Sequence, residues 1–66
     1  MDRIDIYRSA VLLIKRYGED AALEAAARAD DLFDECDLDG WQVWKAILRA
    51  IEDIQREDMK DGEQIN

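Results

Sequence analysis

The sequence predicts an all-α fold: a compact three-helix domain, in which a third helix packs in the groove of a helical hairpin. Three observations support it. Apolar residues recur at helical spacing along most of the 66 residues, the chain contains no proline, and β-branched residues are few outside the periodic positions. The expected helices span residues 2–17, 19–36 and 40–57 in one domain over 1–58, and the polar tail 59–66 is expected to fray.

A domain of this size buries only about 60% of the surface of its unfolded chain, so its stability is marginal. Cys36 is the only cysteine and the chain has no histidine, which argues against a disulfide and against a structural zinc site. Stability must therefore come from well-packed helices or from self-association.

The first predicted helix begins at Asp2, a plausible N-cap residue, with Met1 and Ile6 placed to form a hydrophobic staple. Leu12 lies among the polar residues, so it is either an unimportant exposed leucine or a protein contact. The apolar half of the helix consists of Ile4, Ile6, Tyr7, Ala10, Val11, Leu13, Ile14 and Tyr17.

Gly18 is expected to end this helix in the left-handed αL conformation, after Lys15 and Arg16 in the last turn. Glu19 and Asp20 are expected to open the second helix, where the helix dipole favours anions. So short a connection predicts an antiparallel hairpin.

The second predicted helix has a face of small residues followed by larger ones. Cys36 falls on this face and has acidic neighbours, so we expect a buried, unreactive thiol. The face consists of Ala21, Ala22, Ala25, Ala26, Ala29, Leu32, Phe33 and Cys36.

The start of the third helix carries the strongest local signal. Asp39 is the expected N-cap, and Gln42, three residues later, could complete a capping box. Leu38 and Val43 would form the staple around it, so the helix would begin at Gly40.

Trp41 and Leu48 widen the apolar stripe of the third helix beyond the arc of about 100° that one packing surface needs. We therefore expect the edge around Trp41 and Leu48 to be a contact surface; the alternative is that Trp41 covers the core over Leu38 and Phe33. The centre of the stripe is Val43, Trp44, Ile47, Ala50, Ile51 and Ile54.

The net charge of −8 disfavours nucleic acids and anionic membranes as partners. Nine acids and one base lie in residues 19–39, a sum of −8, whereas residues 1–18 carry +2 and residues 40–66 carry −2. A helix-turn-helix interpretation, with Gln42, Lys45 and Arg49 as base-reading residues, conflicts with this acidic field.

Two candidate chemical sites are weak. Glu35, Asp37, Asp39 and Gly40 resemble the start of an EF-hand loop, but the twelfth position is Ala46 where calcium binding requires a glutamate. The acidic face of the second helix is expected to be solvated rather than catalytic, since nothing there separates the pKa values of its carboxyl groups. That face consists of Glu24, Asp30, Asp31, Asp34 and Glu35.

No nucleophile–base set and no phosphate-binding loop is present, so the sequence predicts neither an enzyme nor a cofactor, metal or small-molecule substrate. Four segments resemble a family of very short helical proteins of α-proteobacteria: Ile6-Tyr7-Arg8-Ser9-Ala10, Leu12-Leu13-Ile14-Lys15-Arg16-Tyr17-Gly18-Glu19-Asp20-Ala21, Asp37-Leu38-Asp39-Gly40 and Val43-Trp44-Lys45. The resemblance covers about residues 1–56 and implies a bacterial setting, but it implies no ligand or catalytic residue, because the function of the family is unknown.

The start of the chain does not resemble a signal peptide and no apolar run is long enough to span a bilayer, so we expect a cytoplasmic protein. The expected function is a small non-enzymatic protein-interaction module that binds another protein or a second copy of itself. Its candidate contacts are Leu12, Trp41 and Leu48. The alternative is an acidic inhibitor or nucleic-acid mimic of the anti-defence type, which binds a basic enzyme through the second helix.

Overall fold

The structure, a computed structural model, describes the backbone of residues 2–65 and the side chains of residues 2–57. The chain forms α1 (Arg3–Tyr17), a 3₁₀ turn (Gly18–Asp20), α2 (Ala21–Asp34) and α3 (Leu38–Ile65). The described backbone contains no strand, so the all-α prediction is confirmed.

α3 is the element on which the rest of the molecule packs. It contacts α2 most extensively and α1 next, and α1 and α2 contact each other least. The expected end of this helix near residue 57 is wrong, because the backbone continues as helix to Ile65. The fraying of the polar tail 59–66 stays a prediction.

The core is formed by small side chains of α1 and α2 packed against two isoleucines of α3. Alanine allows close approach of a neighbouring helix, so Ile47 and Ile51 lose nearly all of their exposure to water, which stabilises the fold by roughly 1.5–3 kcal/mol per side chain. Ile4 and Tyr7, which we predicted on the buried face of α1, are exposed instead. The central cluster is Ala10, Ala21, Ala25, Ile47 and Ile51.

α1 begins after Asp2, as predicted, but the Asp2 side chain makes no capping hydrogen bond. The carbonyl of Asp2, in extended backbone, accepts the amide hydrogen of Ile6 over 3.0 Å. The expected staple involves Met1, which lies outside the described residues.

Gly18 ends α1, and its amide donates to the carbonyl of Ile14. Its φ of 59° is positive, as predicted, but its ψ of −124° lies outside the αL region that we expected. The turn that follows takes up Glu19 and Asp20, so α2 begins at Ala21, two residues later than predicted.

α2 ends in a Schellman motif, two residues earlier than predicted. The amide of Asp37 donates to the carbonyl of Leu32 over 2.9 Å, and the amide of Cys36 donates to the carbonyl of Phe33 over 3.0 Å. Cys36 occupies the left-handed position at φ 64°, usually a glycine, and its side chain is exposed. The prediction of a buried cysteine is therefore wrong, because the chain leaves the helix before the apolar stripe reaches it.

The N-cap of α3 is Asp37, not Asp39. Oδ1 of Asp37 accepts the amide hydrogen of Gly40 over 3.0 Å, and the Asp37 carbonyl accepts that of Trp41 over 2.9 Å. This makes Gly40 the third helical residue, where a capping box would need a Glu or Gln. The predicted capping box with Gln42 is therefore wrong.

The predicted hydrophobic staple between Leu38 and Val43 is wrong for the same reason. A staple needs its first residue before the N-cap, but Leu38 follows the cap Asp37 and is the first residue of α3.

Candidate protein-interaction surface

The turn between α2 and α3 brings three large apolar side chains together at one end of the molecule. Phe33 lies in the last turn of α2, Leu38 begins α3, and Trp41 lies three positions further along the same helix. Phe33 and Leu38 are each 54% exposed, whereas Trp41 is half-buried. We name these three residues the aromatic corner.

Two rings of the aromatic corner are in contact. The ring centroids of Phe33 and Trp41 lie 5.6 Å apart, with an angle of 57° between the ring planes. This tilted arrangement is favourable for aromatic pairs and covers one side of the indole. Trp41 therefore rests on Phe33, which is itself exposed, rather than on the central alanine and isoleucine cluster.

The segment that contains Phe33 and Leu38 is rich in carboxylates. Residues 30–39 contain six acidic side chains and no basic one, and all six are exposed. Within the described side chains, the ion pairs are Arg28 with Glu24 and Arg56 with Asp53, at 3.9 and 3.8 Å, and neither includes a residue of this segment. The six are Asp30, Asp31, Asp34, Glu35, Asp37 and Asp39.

The predicted acidic face of α2 divides into two parts. Asp30, Asp31, Asp34 and Glu35 are exposed near the aromatic corner. Glu24 is half-buried one to two turns earlier and pairs with Arg28. Because its charge is partly compensated, Glu24 contributes less to the local negative field than the other four.

Arg28, the one base of residues 19–39, is engaged by its neighbours. Its guanidinium lies over the ring of Trp44, 5.1 Å from the centroid, in a cation–π contact. Trp44 in turn packs against the core cluster. Arg28 therefore helps to hold α2 on α3, and it lines a depression together with Asp31 and Glu35, two of the six carboxylates.

The three predicted contact residues do not share one environment. Leu12 is 65% exposed on α1. Trp41 is part of the aromatic corner, and Leu48, two turns further along α3, is half-buried against the core cluster. Sequence reasoning missed Phe33 and Leu38 as surface residues, because it extended α2 through Cys36 and placed the cap at Asp39. The acidic run from Asp34 to Asp37 was the signal that α2 ends earlier.

A concave region lies between α1 and α3. It is an open groove of about 550 Å³, with Ile6, Tyr7 and Ala50 in its apolar part and Arg3 and Arg49 among its charged residues. Gln42, Lys45 and Arg49, the residues of the disfavoured helix-turn-helix interpretation, are all exposed on α3. Lys45 and Arg49 line a shallow depression together with Glu52 and Asp53, so acids alternate with these bases.

Within residues 2–57, no group of three or more Asp, Glu, Cys or His side chains is arranged to hold a metal ion. Asp37 and Asp39, from the EF-hand-like segment, flank the start of α3, and the Asp37 carboxylate accepts an amide hydrogen bond there. In the described part of the chain no helix combines the length and the apolar character needed to cross a membrane.

Comparison of the chain with protein-family models, with curated proteins and with solved structures finds no match.

Proposed function

We propose that this chain is a small non-enzymatic protein-interaction module, a bacterial cytoplasmic three-helix domain that binds its partner through exposed apolar side chains. The observation that carries the proposal is the aromatic corner. Phe33 and Leu38 leave more than half of their surface in water although the domain is small enough to need every apolar contact.

Single exposed apolar residues are normal on protein surfaces, so exposure alone is a weak argument. The aromatic corner differs because the rings of Phe33 and Trp41 are in contact, and Leu38 lies three residues before Trp41 on the same side of α3. Contiguous apolar patches mark interaction sites, and aromatic residues contribute disproportionately to binding energy when a partner covers them.

The contacts between the helices support the proposed three-helix arrangement. α3 contacts both α1 and α2, which is consistent with a third helix in the groove of a hairpin. In this arrangement the core comes from Ile47 and Ile51, and the aromatic corner is left at the end of the molecule, where it adds little to that core.

Two measurements would test the proposal: light scattering for the size of the species in solution, and heteronuclear NMR for the residues that a partner contacts. Trp41→Gln is expected to abolish binding or self-association while helicity persists in dilute solution, since Trp41 lies outside the core cluster. Leu23→Gln is the matched control, because Leu23 is 72% exposed on α2 and lies outside the aromatic corner.

Leu12→Gln and Leu48→Gln test the other two predicted contacts in the same assay. The proposal is wrong if the wild type neither self-associates nor binds any protein at hundreds of micromolar and Trp41→Gln merely unfolds at lower denaturant.

A second candidate function is favoured by the carboxylates of α2. Asp30, Asp31, Asp34 and Glu35 are exposed, and a row of fixed negative charges can imitate the phosphates of a nucleic acid. An inhibitor of this type would bind a basic nucleic-acid-binding enzyme with an affinity that falls steeply with salt. Asn and Gln replacements at these four positions should then abolish inhibition, whereas Trp41→Gln should leave it intact.

A further inference from the structure

We propose that the aromatic corner docks a basic segment of another protein, one that carries a large apolar side chain flanked by lysine or arginine. This inference rests on the proposed interaction function and names the chemistry of the partner. It combines two features of one surface: an apolar patch that a partner can bury and a surrounding charge of one sign.

The charge around the patch is strongly negative. The six carboxylates of residues 30–39 amount to −6 without a basic residue in that segment, out of a net charge of −8 for the whole chain. Arg28, two residues before the segment, lines a depression with Asp31 and Glu35, so the other four carboxylates contribute most to the field. Fields of this kind steer an oppositely charged partner toward the patch and reject a like-charged one.

The position of these acids on α2 strengthens the argument. A helix C-terminus carries partial negative charge, so cations stabilise it and anions destabilise it. The last turn of α2 has no basic residue, and it contains Asp31 and Asp34. The end of α2 therefore lacks the cation that would favour it, and a lysine or arginine of a bound partner would supply that cation.

The same charges disfavour a second copy of the chain as the occupant. A symmetric dimer through the aromatic corner would bring two sets of Asp34, Glu35 and Asp39 together. Each protomer would also carry −8. Burial of Phe33 and Leu38 in such a dimer would have to overcome this repulsion, whereas with a basic partner attraction and burial act together.

The experiment uses the full chain and a defined probe, a 16-residue amphipathic peptide with leucine at helical spacing and lysine elsewhere. Two control peptides keep its length: one replaces each leucine by serine, and the other replaces each lysine by glutamate. Binding is measured by titration calorimetry, and the site is mapped by NMR shifts of the Phe33, Leu38 and Trp41 signals.

The leucine–lysine peptide is expected to bind at the aromatic corner, and both control peptides at least about tenfold more weakly, because each lacks one of the two contributions. Phe33→Ser with Leu38→Ser should reduce the affinity about tenfold or more without any change in charge. Asp34→Asn with Glu35→Gln should reduce it about threefold or more, and this reduction should shrink in high salt. Leu23→Ser, remote from the corner, is the control for both double variants.

The inference is overturned if the peptide fails to bind, if the serine peptide binds as well as the leucine peptide, or if the shifts map elsewhere. The same holds if the wild-type chain self-associates through the aromatic corner in preference to the peptide; that result would leave the proposed interaction function standing. A monomer that binds neither itself nor any peptide would contradict both.

Discussion

The carboxylate of Asp37 accepts the amide hydrogen of Gly40 over 3.0 Å, while the amide of Asp37 donates to the carbonyl of Leu32 over 2.9 Å. The backbone of Asp37 thus completes the C-terminal Schellman motif of α2, and its side chain caps the N-terminus of α3. This double role fixes the turn that places Phe33 beside Trp41, so the candidate interaction surface depends on Asp37.

Asp37→Ala is expected to lower the free energy of unfolding by about 0.5–2 kcal/mol, because α3 loses its capping acceptor. Asp39→Ala should lower the free energy of unfolding by less, about 0.3–1 kcal/mol. Asp39 is the second residue of α3, so it stabilises the helix only through its charge near the helix dipole. Asp37→Asn, which keeps an acceptor at the cap, is the control. Urea denaturation followed by circular dichroism gives all three values; a larger loss for Asp39→Ala than for Asp37→Ala would restore Asp39 as the cap.

Cys36→Gly is expected to stabilise the protein by about 1 kcal/mol, because a residue with a Cβ atom is strained at φ 64° and glycine is not. Cys36→Ala keeps the Cβ atom and should bring no such gain. In the wild type a thiol reagent should label Cys36 at nearly the same rate in native buffer as in denaturant, since the side chain is exposed. Slow native labelling would show that Cys36 lies on the buried stripe after all.

Gly18→Ala is expected to lower the free energy of unfolding by about 1–3 kcal/mol. The space around Gly18 is open, and no atom lies within 4 Å of the position that a Cβ would take, so the whole cost comes from its backbone angles. Gly18→Asn should be as harmful as alanine, because asparagine tolerates αL but not φ 59° with ψ −124°. Thermal unfolding of the two variants tests this; rescue by asparagine would indicate that Gly18 is in the αL conformation.

Gln55→Glu is expected to destabilise the protein by about 0.5–1.5 kcal/mol. Nε2 of Gln55 donates to the carbonyl of Gly18 over 3.1 Å and so ties α3 to the turn between α1 and α2. A carboxylate of the same shape cannot donate this bond. Gln42→Glu is the matched control on α3, near its N-terminus, and should be neutral or slightly stabilising. Equal effects of the two substitutions would mean that the bond to Gly18 contributes nothing.

The helical periodicity of the sequence predicted the all-α class and included the residues of the core cluster, although it also placed the exposed Ile4 and Tyr7 on the buried face. Ala10, Ala25, Ile47 and Ile51 were all predicted on the buried faces, because the side of a helix that meets its neighbours must be apolar. Gly18 and Gly40 also marked the approximate positions of the two turns, although Gly40 lies in the first turn of α3.

The turn between α2 and α3 was harder to predict, because two neighbouring aspartates could each cap α3. Asp37 and Asp39 have the same side chain, and sequence reasoning preferred Asp39 because Gln42 could complete a capping box. It also disregarded the left-handed conformation of Cys36, since cysteine has no preference for it. Because the predicted cap was two residues too late, the sequence did not predict that Phe33 and Leu38 are exposed.

The sequence by itself determined which residues could form helices, which faces are apolar and that negative charge is concentrated in residues 19–39. These properties depend on composition and on spacing along the chain, which no neighbour can change. Only the tertiary structure decided that Asp37 is the cap, that Arg28 lies over Trp44 and that Gln55 reaches Gly18. Each of these choices depends on which groups the packing of α3 brings within contact distance, because several residues of the same chemistry compete for each role.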